Sequence, residues 1–251
     1  MPLFTYDLHV HSCLSPCGDD EMTPCNIAGM AYLAGVKIVA LTDHNSCKNC
    51  GDFFHACGEY GVTPVAGMEL TTSEEIHMVC LFEGLKQAMD FDEALQPFRM
   101  QLKNRIEIFG NQFIMKEDDE IVGQDPWFLP AATSLSLADA AEMVRSMGGI
   151  AYPAHIDRES NGMLAILGMF PDEPVFGLCE VRDKENAEKL SEGRMCVVSS
   201  DAHRLEDFAV NLNHIELDCP EEADAETVRH ALFEKLRMRN EEFRIRTGGR
   251  Q

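Results

Sequence analysis

Short apolar runs alternate with segments of helical periodicity along most of the chain, a pattern typical of an α/β fold built from strand–helix–strand units. The apolar runs predict seven strands, at residues 4–10, 36–42, 63–69, 76–82, 149–154, 176–181 and 195–200. An eighth strand-like run at 213–217 is expected at an edge of the sheet or outside it. Only six residues separate the third run from the fourth, so these two strands should pair as an antiparallel hairpin.

Two helices have clear sequence boundaries. Thr23 and Pro24 supply an N-cap and a first-turn proline, apolar residues then recur at helical spacing, and Gly35 ends the helix. Ser136 begins a second helix, whose apolar stripe runs up to the glycine pair at 148–149. Each helix leads directly into the next predicted strand, as strand–helix–strand units require.

Residues 84–135 interrupt this alternation. A helical pattern at 87–109 is followed by residues 113–122, which resemble a hairpin with an acidic turn at 117–120. The segment has no Ser/Gly-rich linker, so we expect it to be an insertion packed on one domain that spans residues 1–251. Acidic turns of this kind are usually solvated, and we expect no calcium site there.

The charge of the chain narrows its possible partners. The 251 residues include 43 acidic and 21 basic side chains, a net charge of −22. Such a field repels nucleic acid and anionic membranes, so neither is an expected partner. No run approaches the roughly 18 apolar residues of a membrane span, and the first residues lack the features of a signal peptide. We therefore expect a cytoplasmic protein with a small substrate.

Most of the nine histidines fall at the ends of predicted strands, together with two acidic residues. His9 and His11 alternate along the first strand, so both side chains point to the same face. The others are His44 after the second strand, Glu69 and His77 beside the hairpin connection, His155 after the fifth strand, and Asp201 and His203 after the seventh. Since α/β barrels place active sites at the carboxyl ends of strands, these residues should converge. His55, His214 and His230 lie elsewhere and are expected to be packed or exposed.

The order of these motifs resembles the PHP family, the polymerase and histidinol phosphatase superfamily of metal-dependent phosphoesterases. The motifs are His9-x-His11, Thr42-Asp43-His44, Glu69, His77, His155 and Ser200-Asp201-x-His203. The resemblance spans nearly the whole chain. It implies a distorted seven-stranded β/α barrel, related to the TIM barrel, with up to three metal ions.

The resemblance also implies how the ligands divide among the ions. His9, His11, Glu69 and Asp201 would surround one ion, and Glu69 would bridge to a second ion held also by His77 and His155. His44, His203 and an acidic residue of the first loop would hold the third. The family often has this acid directly before a glycine, where this chain has Cys17 and Gly18, so Asp19 is our choice and Asp20 is within reach.

Imidazole and carboxylate ligands together suit zinc, manganese or iron rather than calcium. We expect two to three such ions to activate water for attack on phosphorus and to neutralise the phosphoryl group. Asp201, Glu69 and His203 are the expected catalytic residues. Asp43 is expected to orient an imidazole rather than to bind an ion.

Basic residues near the predicted rim are candidates for holding phosphate. Arg158 and Arg204 follow His155 and His203 closely, and arginine offers a forked donor pair suited to phosphate oxygens. Lys48 and Arg182 are further candidates. A surface ion pair is the alternative for each of them, given the many acidic residues.

Ten cysteines in a chain without a recognisable signal peptide are expected to be reduced thiols. Cys47 and Cys50 form a C-x-x-C directly after the His44 motif, and Cys13 and Cys17 lie in the first loop. Together they could form a structural zinc or iron–sulfur site. Because a zinc ribbon has a second C-x-x-C and this chain has none, unpaired thiols near the pocket are the preferred interpretation.

The sequence favours a metal-dependent hydrolase of phosphate esters, most simply a phosphomonoesterase acting on a small metabolite or nucleotide. A nuclease, or the proofreading activity attached to some polymerases, is an alternative that the net charge of −22 disfavours. A non-catalytic metal-binding or regulatory module is a second alternative, which missing ligands would indicate. Amidohydrolase-type barrels also begin with His-x-His, but they bridge their ions with lysine, where this chain offers Glu69.

Overall fold

A computed structural model describes residues 1–208 and 213–248 and contains ten strands and eight α-helices within them. The strands are β1 Leu3–Val10, β2 Ile38–Leu41, β3 Thr63–Thr71, β4 His77–Phe82, β5 Phe113–Lys116, β6 Glu120–Gln124, β7 Ile150–Pro153, β8 Leu178–Glu180, β9 Met195–Val197 and β10 Asn213–Glu216. The helices are α1 Pro24–Ala34, α2 Cys50–Tyr60, α3 Leu85–Leu95, α4 Ile106–Phe109, α5 Leu137–Ser146, α6 Met163–Leu167, α7 Ala187–Ser191 and α8 Ala225–Thr247. All seven predicted strands are present, and so is the eighth.

Six strands form one mixed sheet in the order β10-β1-β2-β3-β4-β7. The strands β1, β2 and β3 run parallel, whereas β4 is antiparallel to both β3 and β7. The β3–β4 hairpin therefore confirms the expectation from the short connection. The eighth run, β10, pairs antiparallel with the outer edge of β1.

The predicted closed barrel of seven strands is not confirmed. Among the described residues β8 and β9 form a separate two-stranded parallel sheet, without a ladder to β7 or β1. Hydrogen bonds outside the ladders still join these parts near the rim, among them Ile156 N to Glu180 O, Asp201 N to His9 O and His11 N to Ala202 O. The fold is thus mixed α/β. The six-stranded sheet and the β8–β9 sheet are hydrogen-bonded to each other at the rim that carries the histidines.

The helix boundaries follow the sequence signals. The Thr23 side chain accepts from Asn26 N at the start of α1, and Gly35 ends the helix with φ +71°, a conformation that glycine adopts without strain. The predicted helix at 87–109 is wrong, because it is divided into α3 and α4. Pro97 follows the end of α3, where its ring and its missing N–H oppose helix continuation.

Apolar side chains form a core on each face of the large sheet. Val39 and Leu41 of β2 belong to the core under α1 and α2, whereas Ile38 and Ala40 belong to the core under α8. This alternation is expected for a strand that is buried on both faces. The strands are thereby held rigidly, and side chains at their ends have fixed positions.

The segment 84–135 packs on the rim of the large sheet. Phe113 N donates to Cys13 O, and Thr133 N donates to Thr71 O. Asn45 Nδ2 donates to the carbonyl of Leu129 at 2.7 Å. The hairpin β5–β6 is present as predicted, and its acidic turn has positive φ angles at residues 117–119.

No helix within residues 1–208 and 213–248 is both long enough and apolar enough to cross a membrane.

Candidate metal centre

Strand β1 directs two histidine rings at one point. His9 lies within β1 and His11 follows its last residue, and both side chains are fully buried. Nε2 of His9 lies 3.1 Å from Nε2 of His11. Residues two apart in extended backbone share a face, which accounts for this proximity.

Hydrogen bonds behind each ring determine which nitrogen carries the proton. Nδ1 of His9 lies 3.0 and 3.1 Å from the carboxylate oxygens of Glu180, which can only accept. Ser15 Oγ donates to Asp43 Oδ1 at 2.7 Å, so it accepts from Nδ1 of His11, 3.0 Å away. Nε2 of each ring is therefore left to bind a cation or a second proton.

Glu69, near the end of β3, lies at the centre of the cluster. The hairpin β3–β4 brings His77 to its carboxylate, and the parallel bridge between His44 and Glu69 brings the end of β2 alongside. The Glu69 oxygens lie 2.7 Å from His77 Nδ1, 2.9 Å from His155 Nε2, 3.0 Å from His44 Nδ1, 3.4 Å from His11 Nε2 and 3.4 Å from His9 Nε2. One carboxylate thus touches five imidazoles.

Asp201 and His203 reach the same place from the loop after β9. Oδ1 of Asp201 lies 3.5 Å from His9 Nε2 and 3.3 Å from His11 Nε2. The backbone is left-handed at Asp201, with φ +53°, and also at His155, with φ +26°. Such conformations are uncommon for residues other than glycine and cluster at functional sites.

The cluster favours positive charge at its centre. Burial opposes protonation of His9, but the carboxylates of Glu180, Glu69 and Asp201 outweigh it and raise the pKa of His9 well above its usual value. Burial alone would raise the pKa values of Glu69 and Asp201, yet the surrounding histidines lower both. Burial and neighbouring rings lower the pKa of His11. Without metal, the buried negative charges of Glu69 and Asp201 are balanced by protons on the neighbouring imidazole rings.

The donor set fits a group of divalent cations. Three sets of side chains each offer ligand atoms within 4.8 Å of one another: His9, His11, Glu69 and Asp201; His44, Glu69 and His77; and His11, His44 and His203. Oδ1 of Asp201 and Nδ1 of His44 are buried and make no hydrogen bond. A buried polar atom without a partner is costly, and a metal ion would supply one here. The mixture of imidazole and carboxylate suits zinc, manganese or iron.

The first loop does not bring its aspartates into this cluster. The Asp19 side chain is 58% exposed and lies 3.9 Å from Arg204 Nε. Asp20 accepts from Asn111 Nδ2 at 2.9 Å. The structure therefore gives no support to Asp19 or Asp20 in the third site, because the loop turns both outward after Gly18.

Cys17 occupies the place near the rings that we expected an aspartate to take. Its side chain lines the same cavity as the rings of His44 and His203. Burial would raise the pKa of this thiol, but the two histidines lower it to about 6. The interaction is mutual, since Cys17 and Glu69 overcome the effect of burial and raise the pKa of His44 to about 10.

The four candidate phosphate ligands differ in position. Arg158 lines the cavity over the histidines, with Nη1 3.4 Å from Asp201 Oδ2. The Arg204 side chain is 60% exposed and faces Asp19 and Glu206. Lys48 is paired with Asp125, and Arg182 is exposed. Of these four, only Arg158 lines this cavity.

The thiols of Cys13, Cys47 and Cys50 are buried and do not join Cys17 in a metal site. Cys47 and Cys50 both contact the carbonyl of Gly67. Among the described residues no set of cysteines offers converging ligand atoms. The four-thiolate alternative is therefore not supported, and free thiols are observed.

Sequence analysis missed Glu180 and Ser15. Their side chains hydrogen-bond with Nδ1 of His9 and Nδ1 of His11, and so orient two of the candidate metal ligands. Glu180 also accepts from His155 N at 3.1 Å, so one carboxylate orients two neighbouring histidines. An acidic residue within the apolar run 178–181 was an available signal for Glu180. Asp43 was expected to orient an imidazole, and it does so through Ser15 on His11 rather than on the adjacent His44.

We expect Glu180→Gln to weaken metal binding about 10- to 100-fold, because outer partners of a metal-bound histidine have effects of this size. Glutamine keeps an oxygen that accepts from His9 Nδ1 but removes the charge. Titration of metal-free protein with zinc or manganese measures the change, and the exposed Glu188→Gln is the matched control. Equal affinities for the two variants would contradict a role for Glu180 at the centre.

Comparison with known proteins gives one family match. Residues 7–123 match the model of the PHP domain. A 5'-3' exoribonuclease of Haemophilus influenzae is 35% identical over 79 residues, which are 30% of this chain and 28% of that protein. This chain therefore spans less than a third of the length of that relative.

Two solved structures share the fold. A lesion-specific endonuclease Q from Pyrococcus furiosus aligns with a TM-score of 0.62 and 18% identity, covering 93% of this chain and 56% of the endonuclease. A candidate metal-dependent phosphoesterase from Bifidobacterium adolescentis aligns with a TM-score of 0.59 and 18% identity, covering 90% and 95%. The resemblance found in the sequence is thus confirmed by the match of residues 7–123 to the model of the PHP domain.

Proposed function

We propose that this chain is a metal-dependent phosphoesterase that hydrolyses phosphomonoesters of small metabolites or nucleotides. The observation that carries the proposal is the convergence of six histidines with Glu69 and Asp201 beside an open cavity that contains Arg158. Two to three ions of manganese, zinc or iron are the proposed cofactors. When bound, they would activate a water molecule and neutralise the phosphoryl oxygens.

The side chains of this site have distinct roles in the proposed reaction. Glu69 holds the ligands from the centre, since it contacts five of the rings. Asp201 and His203 complete the site from the opposite loop, with His203 oriented by a 2.8 Å contact from its Nδ1 to the carbonyl of Asp201. Arg158, about one third exposed, can turn its forked donors from Asp201 to two phosphate oxygens.

The cavity over the cluster limits the size of the substrate. It has a volume of about 310 Å³, and its outer wall includes Phe109 and Phe128, whose ring centroids lie 4.2 Å apart. Larger depressions of about 600 Å³ lie elsewhere on the surface and contain none of the proposed ligands. An apolar wall of this kind suits the flat organic part of a small ester, such as a nucleobase.

Both phenylalanines belong to the segment 84–135, so we propose that this insertion forms part of the substrate pocket. Its backbone is bonded to the loops after β1 and β3. The insertion and the metal ligands would then work as one catalytic domain.

A nuclease is the second candidate function. It is favoured by the likeness of this chain to a 5'-3' exoribonuclease and by the fold that it shares with a lesion-specific endonuclease. The net charge of −22 opposes it, because a long polyanion would cross an acidic surface, and Arg158 is the one arginine or lysine that lines the described cavity.

Comparison of substrates tests these two functions. We expect faster turnover of a mononucleotide than of long single-stranded or duplex DNA at matched phosphate concentration, because only the small ester enters the cavity without crossing the acidic surface. The assay is run at low and moderate salt, and the Asp201→Asn variant identifies any contaminating nuclease. Faster degradation of long DNA that falls with salt and requires Asp201 would favour the nuclease instead.

A further inference from the structure

The first loop places Cys17 in the cavity that His44 and His203 also line. Gly18 N donates to Ser15 O at 2.8 Å, and a Cβ at Gly18 would lie only 3.0 Å from Ser12 O. The turn is therefore tight, and Cys17 stands directly before its glycine. Cys17 is exposed, unlike Cys13, which is buried in the same loop.

Within residues 1–208 and 213–248, the rings near Cys17 form the one candidate set without a carboxylate. His11, His44 and His203 offer nitrogens within 4.8 Å of one another. Cys17 lies outside that limit for at least one ring, but its side chain lines the same cavity as His44 and His203.

Two of these rings have a nitrogen available for an ion. Nδ1 of His203 is occupied by the carbonyl of Asp201, which leaves Nε2. Nδ1 of His44 is buried without a hydrogen bond, although Glu69 Oε2 lies 3.0 Å away. Neutral imidazoles alone supply no charge to balance a divalent cation, and the adjacent Asp19 and Asp20 are turned outward.

We propose that Cys17 binds the third ion of this centre as a thiolate, together with His44 and His203. The proposal rests on the metal centre proposed above. Binding transfers the thiol proton to solvent and forms a sulfur–metal bond. Two nitrogens and one sulfur leave a fourth position open, as in catalytic zinc sites, and the soft sulfur favours zinc over manganese at this site.

Cobalt substitution tests the proposal without an activity measurement. Metal-free protein is loaded with Co²⁺, and its absorption spectrum is recorded for the natural chain, Cys17→Ser, Cys17→Asp and the distant control Cys219→Ser. We expect a near-ultraviolet thiolate-to-cobalt charge-transfer band in the natural chain and in Cys219→Ser, and its loss in both Cys17 variants. Circular dichroism checks that the Cys17 variants are folded.

Competition between metals gives a second measurement. We expect Cys17→Asp to keep the number of bound ions while its preference for zinc over manganese at the weakest site falls about tenfold or more, because an oxygen replaces the sulfur. Cobalt uptake with visible bands but without the charge-transfer band would overturn the role of Cys17 and leave the metal centre standing. No cobalt uptake at all would overturn the metal centre and this proposal with it.

Discussion

Asp201→Asn is expected to reduce kcat/KM for a small phosphomonoester by about 10³-fold or more, which corresponds to roughly 4 kcal/mol of transition-state stabilisation. Oδ1 of Asp201 is buried, lies 3.3 Å from His11 Nε2 and has no hydrogen-bond partner. Its position is therefore that of a ligand rather than a structural group. Asparagine has the same shape and tolerates the left-handed backbone at φ +53°, so the substitution removes charge and little else.

A matched control distinguishes the loss of a proposed metal ligand from a general change in the charge of the loop. Asp207 is an exposed aspartate in the same loop, and Asp207→Asn should keep the activity of the natural chain. His9→Ala should lose activity as completely as Asp201→Asn, since it removes a ligand from the other side of the cluster. Asp201→Asn with unchanged fold and near-natural activity would rule out this residue as part of the catalytic centre.

Local sequence patterns were enough to predict the strands and the convergence of the histidines. The side-chain period of two places His9 and His11 together, and parallel strands bring the residues after β1 and β2 to one rim. The short connection before His77 determined an antiparallel hairpin, which places that ring beside Glu69. These features depend on a few neighbouring residues each.

Features that depend on distant contacts could not be predicted in this way. Glu180 meets His9 across 171 positions of sequence, and no local period specifies that pairing. The outward turn of Asp19 depends on the hydrogen bond from Asp19 N to His203 O, again between distant segments. Closure of a barrel likewise depends on the pairing of strands that are distant in sequence. In the part of the chain that the structure describes, β8 and β9 form no ladder with the large sheet, and hydrogen bonds join the two sheets near the rim.

The crowding of ionisable groups at the rim has a consequence for stability. Glu69 and Asp201 are almost fully buried. The centroids of several imidazole rings lie within about 5 to 6 Å of one another, and those of His9 and His155 are 5.8 Å apart. Charges removed from water are stabilised only by close opposite charges. Without metal the cluster relies on protons, and burial together with neighbouring rings lowers the pKa of His11. Bound cations should therefore stabilise the folded chain strongly.

We expect chelator-treated protein to gain about 10 °C in Tm when manganese, zinc or iron is added at about 1,000 times its Kd. Binding to the folded state alone at that excess contributes about 4 kcal/mol, and each kcal/mol shifts Tm by about 2 to 4 °C in a chain of this size. Elemental analysis should find two to three ions per chain. Calcium should have a much smaller effect, because imidazole ligands do not suit it.

Glu69→Gln tests whether this stabilisation comes from the proposed centre. Glutamine retains the shape of Glu69 but removes the charge that would bridge two ions, so most of the metal-dependent rise in Tm should disappear. The exposed Glu188→Gln should keep the full rise. An equal rise in both variants would show that the ions bind elsewhere. Fewer than one ion per chain after incubation with each metal would contradict a metal centre built from Glu69, Asp201 and the six histidines.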